Sequence, residues 1–134
     1  MKFKISILII SIFLSQLLSA QTILEDKNFQ EIYTKKENSK KLVLMIYTAK
    51  TCPQCAYMKQ KVFQDINVKS FMEKYFVVLE KNIDTDELPD GFQYFGIPTM
   101  FFINNKGEQV EKFIGSSRAE PFLNNLKKII KEKQ

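Results

Sequence analysis

The sequence predicts an α/β fold of three layers, a mixed central sheet flanked by helices. Three observations predict it. Leu42–Tyr47 is apolar without alternation, the mark of a parallel-sheet strand covered on both faces. Phe76–Leu79 opens a second such run, and amphipathic helical patterns fill the interval. A hairpin signal at Asn104–Gly107 and an apolar stripe near the C-terminus then add two antiparallel strands and a covering helix. The two long strands are expected to be parallel, joined by a right-handed crossover.

Residues 1–20 read as a signal peptide, with residues 21–134 as one domain. Lys2 and Lys4 give a basic start, and Leu18-Ser19-Ala20 offers small residues for cleavage before Gln21. The apolar stretch from Ile5 to Leu18 is short of the ~20 residues of a spanning helix. Export to the periplasm follows from this, with an uncleaved inner-membrane anchor as the alternative. A short strand is expected near Thr22–Leu24. A helix follows, capped by Asp26 or Asn28, with Phe29, Ile32 and Tyr33 facing inward. The polar run Lys35–Lys41 ends it. After the Leu42–Tyr47 strand, a helix puts Cys55, Met58 and Val62 on one side. Asp65–Asn67 break the pattern, and Val68, Phe71, Met72 and Tyr75 mark a second short helix turn. A strand from Phe76 runs toward Asp84, and Thr85–Phe95 reads as loop with one helical turn. Met100–Ile103 and Glu108–Ile114 form the hairpin strands. The closing helix carries Ala119, Phe122, Leu123, Leu126, Ile129 and Ile130, capped by Ser116 or Ser117.

Thr51-Cys52-Pro53-Gln54-Cys55 holds both cysteines of the chain, between a strand and a helix. Only a thiolate attacks a disulfide, and a helix N-terminus favours the anion through unpaired N–H groups and the helix dipole. Pro53 suits the first helical position, where no N–H is needed. Cys52 is therefore expected exposed at the cap as nucleophile, and Cys55 one turn in as the buried resolving thiol. Lys50, Lys59 and Lys61 add positive charge nearby. The competing reading, a purely structural disulfide, fits poorly, because a bridge across two residues constrains little unfolded-chain entropy.

Composition excludes much else. The chain has no histidine, so Ser-His-Asp and Cys-His catalysis are out. Two cysteines alone do not complete a structural zinc site, and no metal or cofactor is expected. Ala56 follows the second cysteine where covalent haem attachment needs His. Net charge is +5, and losing Lys2 and Lys4 leaves +3. With no basic cluster around aromatics, nucleic acid is not an expected partner. Twelve Phe and no Trp predict a phenylalanine-rich core.

The element order, Cys52-Pro53-Gln54-Cys55 and Ile97-Pro98-Thr99 together resemble the thioredoxin family, over about residues 22–132. Val62-Phe63-Gln64-Asp65 and the strand ending Asn82-Ile83-Asp84 resemble one branch, the C-terminal domain of the bacterial disulfide reductase DsbD and its exported relatives. The resemblance implies a redox disulfide between Cys52 and Cys55, a cis Pro98 against it, and a substrate grip at Ile97 and Pro98. Two departures stand out. Thr51 replaces the family's usual Trp, and Ile46 replaces the buried Asp that takes the proton of the second thiol. Glu80 falls by family register on the strand beside that place. A raised pKa would let it serve as proton acceptor for Cys55, which makes it a candidate catalytic residue.

The expected function is an exported thiol–disulfide oxidoreductase that reduces protein disulfides, acting as a monomer with a membrane or periplasmic electron donor. The alternatives are a DsbA-like oxidant, since Pro in the first intervening position also occurs there, and a non-catalytic binding module. DsbA-type proteins carry a helical insertion between the two halves, for which the interval from Cys55 to Pro98 leaves no room.

Overall fold

At the centre of the sheet lies β1, Leu42–Thr48. The computed structural model describes residues 23–133, so the expected signal peptide lies outside the described residues. Val43 through Thr48 are all buried, as a strand covered on both faces must be. On one side β1 pairs in parallel with β2, Phe76–Asn82, and on the other it runs antiparallel to β3, Thr99–Ile103. β4, Gln109–Ile114, is antiparallel to β3 and closes the order β2-β1-β3-β4. The mixed α/β sandwich is thus as expected.

Side chains of β1 alternate between two cores. Leu44 and Ile46 pack with Met58, Val62, Phe102 and Phe122 beneath the helices that follow the dithiol and close the chain. Val43, Met45 and Tyr47 pack with Ile23, Phe29, Leu79 and Phe101 on the opposite face. Phenylalanines populate both layers, in edge-to-face pairs such as Phe76 with Phe102 and Phe92 with Phe101.

The helices are α1 (Lys27–Thr34), α2 (Pro53–Tyr57), α3 (Ile66–Tyr75) and α4 (Ala119–Lys133). α2 continues through one wide π turn, Met58–Val62, closed by the Phe63 N–H on the Met58 carbonyl at 2.8 Å. Asp65 caps α3 with its carboxylate on the Asn67 and Val68 N–H groups. From β2 the chain reaches β3 through residues 83–98, with turns where the Asp86 N–H meets the Asn82 carbonyl and the Phe92 N–H meets the Pro89 carbonyl.

Three local expectations fail. The Phe76–Leu79 run is not covered on both faces, because β2 is the outermost strand and leaves Val78 exposed. Ile23–Glu25 is helical, so the described part of the expected Thr22–Leu24 strand is not extended. Ile23 is fully buried and its carbonyl accepts the Asp26 N–H at 3.1 Å, which turns the chain back toward the sheet. Neither serine of the expected pair caps α4 through a helix N–H. Ser117 gives its hydroxyl to the Arg118 carbonyl and its N–H to the Met58 sulfur, at 3.2 and 3.3 Å.

Asp26 is the cap of α1, as one of the two candidates, and does more. One carboxylate oxygen accepts the Phe29 N–H, and the other meets Lys81 Nζ at 2.6 Å. Lys81 points into the Tyr47 face of the sheet with only 5% of its side chain exposed. A buried ammonium without its partner is costly. Asp26→Ala should therefore destabilise the fold by roughly 3–5 kcal/mol in chemical denaturation. Adding Lys81→Met should recover a large part of that loss. Equal stability of the single and double variants would refute the pairing.

Candidate functional site

The dithiol sits where β1 ends and α2 begins. Cys52 is the N-cap of α2, in extended backbone geometry, and Pro53 takes the first helical position. The cap is the sulfur itself: the Cys55 N–H donates to Cys52 Sγ at 3.1 Å. Cys52 and Cys55 are bonded to each other, so the pairing implied by the resemblance is present.

Cys52 is the more accessible cysteine, but at 9% the residue is largely buried, against 1% for Cys55. The expectation of an exposed nucleophile is corrected to a largely buried cysteine flanked by exposed Thr51, Pro53 and Gln54. The cause is local: Sγ spends its surface on the bond to Cys55 and on the Cys55 N–H.

Pairing of β1 with β3 delivers the second half of the site. Tyr47 lies opposite Thr99, so the chain just before Thr99 reaches the sheet edge where the dithiol loop starts. The Ile97–Pro98 peptide is cis, as the resemblance implied. Its loop is held from two sides. Thr99 Oγ1 donates to the Gly96 carbonyl at 2.6 Å, and the Gly115 N–H donates to the Pro98 carbonyl at 2.8 Å. Gly115 has φ +89°, a conformation that side chains disfavour. Pro98 is buried and Ile97 half-buried.

Glu80 is placed beside Ile46 by the parallel register, on the dithiol-helix side of the sheet. Its chemistry is not the expected one. Partial burial pushes the pKa up, but hydrogen bonds from Lys59 and Thr48, with the Lys59 charge, outweigh it and the net shift is downward. Lys59 Nζ lies 2.6 Å and Thr48 Oγ1 2.9 Å from the same carboxylate oxygen, and 47% of the side chain is exposed. The proposed base with a raised pKa is thus replaced by a carboxylate held ionised. Lys59 and Thr48 were not singled out as its partners. The spacing held the signal, since Lys59 lies one helical turn after Cys55 and Thr48 ends the apolar run.

The chain matches the family model of the thioredoxin-like domain over residues 28–130. It belongs to the thioredoxin-like family. Thioredoxin H4 of Arabidopsis thaliana is 34% identical over 89 residues, covering 64% of this chain and 70% of the relative. The thiol:disulfide interchange protein DsbD of Pasteurella multocida (strain Pm70) is 28% identical over 106 residues, 75% of this chain but only 18% of that protein. The oxidised C-terminal domain of DsbD from Neisseria meningitidis shares the fold, with TM-score 0.58 and 23% identity over 74% of this chain and 89% of that one. With a bonded Cys52–Cys55 pair on this fold, the thioredoxin-like chain is a thiol–disulfide oxidoreductase acting on protein disulfides.

The Lys59–Glu80 link has a pH signature. A carboxylate whose folded pKa is depressed adds stability above its unfolded value, near 4.5, and loses it as pH falls through the lower folded value. Wild type should lose this increment on acidification below about pH 4.5, and Glu80→Gln should flatten that part of the stability profile. Superimposable acid profiles would show that the pair contributes nothing.

Proposed function

We propose that this protein is exported and reduces disulfides of periplasmic proteins, with Cys52 as nucleophile and Cys55 as resolving thiol. The observation that carries the reading is the Cys55 N–H on Cys52 Sγ at the head of the helical run. In the reduced protein the same N–H favours a thiolate at that sulfur. The Cys52 thiolate attacks one substrate sulfur, forming a mixed disulfide and releasing the other as a thiolate, which takes up a proton. Cys55 loses its proton and attacks Cys52 Sγ. The second substrate sulfur leaves as a thiolate and takes up a proton, so the substrate has gained two electrons and the protein is left oxidised as the Cys52–Cys55 disulfide. A membrane or periplasmic dithiol donor restores the reduced form.

Ile97 and Pro98 are the proposed grip for the substrate chain beside the dithiol. Export rests on the signal-like segment 1–20, and among the described residues no helix is long and apolar enough to cross a membrane. The reducing direction draws on the likeness to DsbD. It also draws on the passage from β2 to β3 through residues 83–98 without a helical insertion of the DsbA kind. Pro53 favours the second reading, an oxidant.

Reduction potential separates the two: a value near ~−270 mV is expected, and one near ~−120 mV would establish an oxidant. In the insulin assay with dithiothreitol, wild type should accelerate precipitation and Cys52→Ser should not. Equal inactivity of both would leave a binding module. Cys55→Ser should accumulate mixed disulfides in periplasmic extracts, where the wild type does not.

A further inference from the structure

β2 is an edge strand, and its outer side has a pattern of its own. The Ile83 N–H donates to the Thr48 carbonyl, so Ile83 faces β1. Backbone groups alternate sides along a strand, which turns Val77, Leu79 and Lys81 toward β1 and Phe76, Val78, Glu80 and Asn82 outward. Both ends of that outward row are closed internally. The Phe76 N–H donates to the Met72 carbonyl and the Asn82 N–H to Asp86 Oδ2. Between them, the backbone of Val78 and Glu80 meets no strand among the described residues. The Val78 side chain is 45% exposed.

A groove of about 630 Å³ opens beside this edge. Its floor is apolar, from Phe63, Met72, Phe76 and Val78. Lys41 and Lys69 line it without an acid partner among the described residues, whereas Lys59 is held by Glu80. Glu73 is the one acid in the lining. Unpaired backbone donors and acceptors ask for another backbone, not for a small amphiphile. An apolar floor below them asks for apolar side chains at every second position, and the free lysines ask for acid.

We propose that the outer edge of β2 is a docking surface for an extended strand of a partner protein. That strand turns one face to the groove, and this face is apolar along the floor and acidic where it meets Lys41 and Lys69. This goes beyond disulfide exchange: the surface is formed by β2, α3, the far end of the dithiol helix and the segment with Asn38 and Lys41 before β1, and it includes neither cysteine. Strand addition at Val78 and Glu80 supplies affinity, and the groove and lysines supply selection.

The test uses the oxidised full chain and three blocked synthetic octapeptides. One has valine and glutamate sharing one face with threonine at the positions between, one replaces glutamate by lysine, and one carries N-methyl groups that prevent edge pairing. The acidic peptide should shift the amide resonances of Val78 and Glu80 and slow their hydrogen exchange. Affinity should fall at least fivefold for the lysine peptide and for Lys69→Glu, and binding of the N-methylated peptide should vanish. Lys69→Glu should leave insulin reduction unchanged. Failure of insulin reduction would overturn the proposed function but not this surface. The docking proposal falls if the acidic peptide does not bind, or if the lysine peptide binds equally well. It falls equally if Val78 and Glu80 amides are already protected in the free chain, which would mean that the chain covers its own edge. Protection that appears only at raised protein concentration would overturn it in favour of a second copy.

Discussion

The pairing of β1 with β3 is the contact on which the site depends. It sets Tyr47 against Thr99, and so brings the loop containing Ile97 and Pro98 to the end of β1 where the dithiol starts. Neither half holds this geometry alone. The register is fixed because β1 buries both faces: a slip by one residue would exchange the Leu44–Ile46 set with the Val43–Met45–Tyr47 set, each already fitted to its own layer. Each such side chain contributes about 1.5–3 kcal/mol by burial, so the core enforces the alignment of the site.

This explains which parts of the chain were legible. Leu42–Tyr47 could be read because it lacks alternation, and the closing helix because its stripe repeats over about three turns. Ile23–Glu25 could not, since three residues show no period, and burial of Ile23 decided their shape. Lys81 was half legible. Once Leu79 points inward, a period of two sends Lys81 to the same face. Its partner Asp26 is 55 residues away, and no local pattern announces it. The cis bond at Pro98 came from family resemblance and not from residue physics. Glu80 was placed correctly beside Ile46 and misjudged chemically, because its pKa depends on which cation reaches it.

Neighbouring charges on β2 pin both layers of the sandwich. Glu80 points to the dithiol side and meets Lys59 of the π turn, while Lys81 points to the other side and meets Asp26 at the cap of α1. The two pairs differ in weight. Lys59–Glu80 is half exposed and screened, and belongs with surface pairs worth ~0–1 kcal/mol. Asp26–Lys81 is nearly dry and sits near Tyr47, whose phenol is pushed up by burial and by the Asp26 charge. The second pair therefore sets where α1 docks, and the first trims the end of the dithiol helix.

The replacement of a buried acid by Ile46 changes how the proton of the resolving thiol can move. Ile46 is fully buried and accepts nothing. Glu80 is ionised, but a carboxylate with a lowered pKa is a weak base, and Lys59 already occupies the oxygen that Thr48 also uses. On the proposed reaction, a better-matched base arrives with the substrate. The thiolate released in the first exchange is the conjugate base of a thiol, whose ordinary pKa near ~8.5 lies far above a carboxylate's. Such a thiolate is a stronger base than Glu80, whose pKa is lowered still further below a thiol's. Resolution of the mixed disulfide in this chain then depends on keeping the first leaving sulfur near Cys55. A substrate held by its backbone next to Pro98 does that, and a small disulfide whose halves diffuse apart does not.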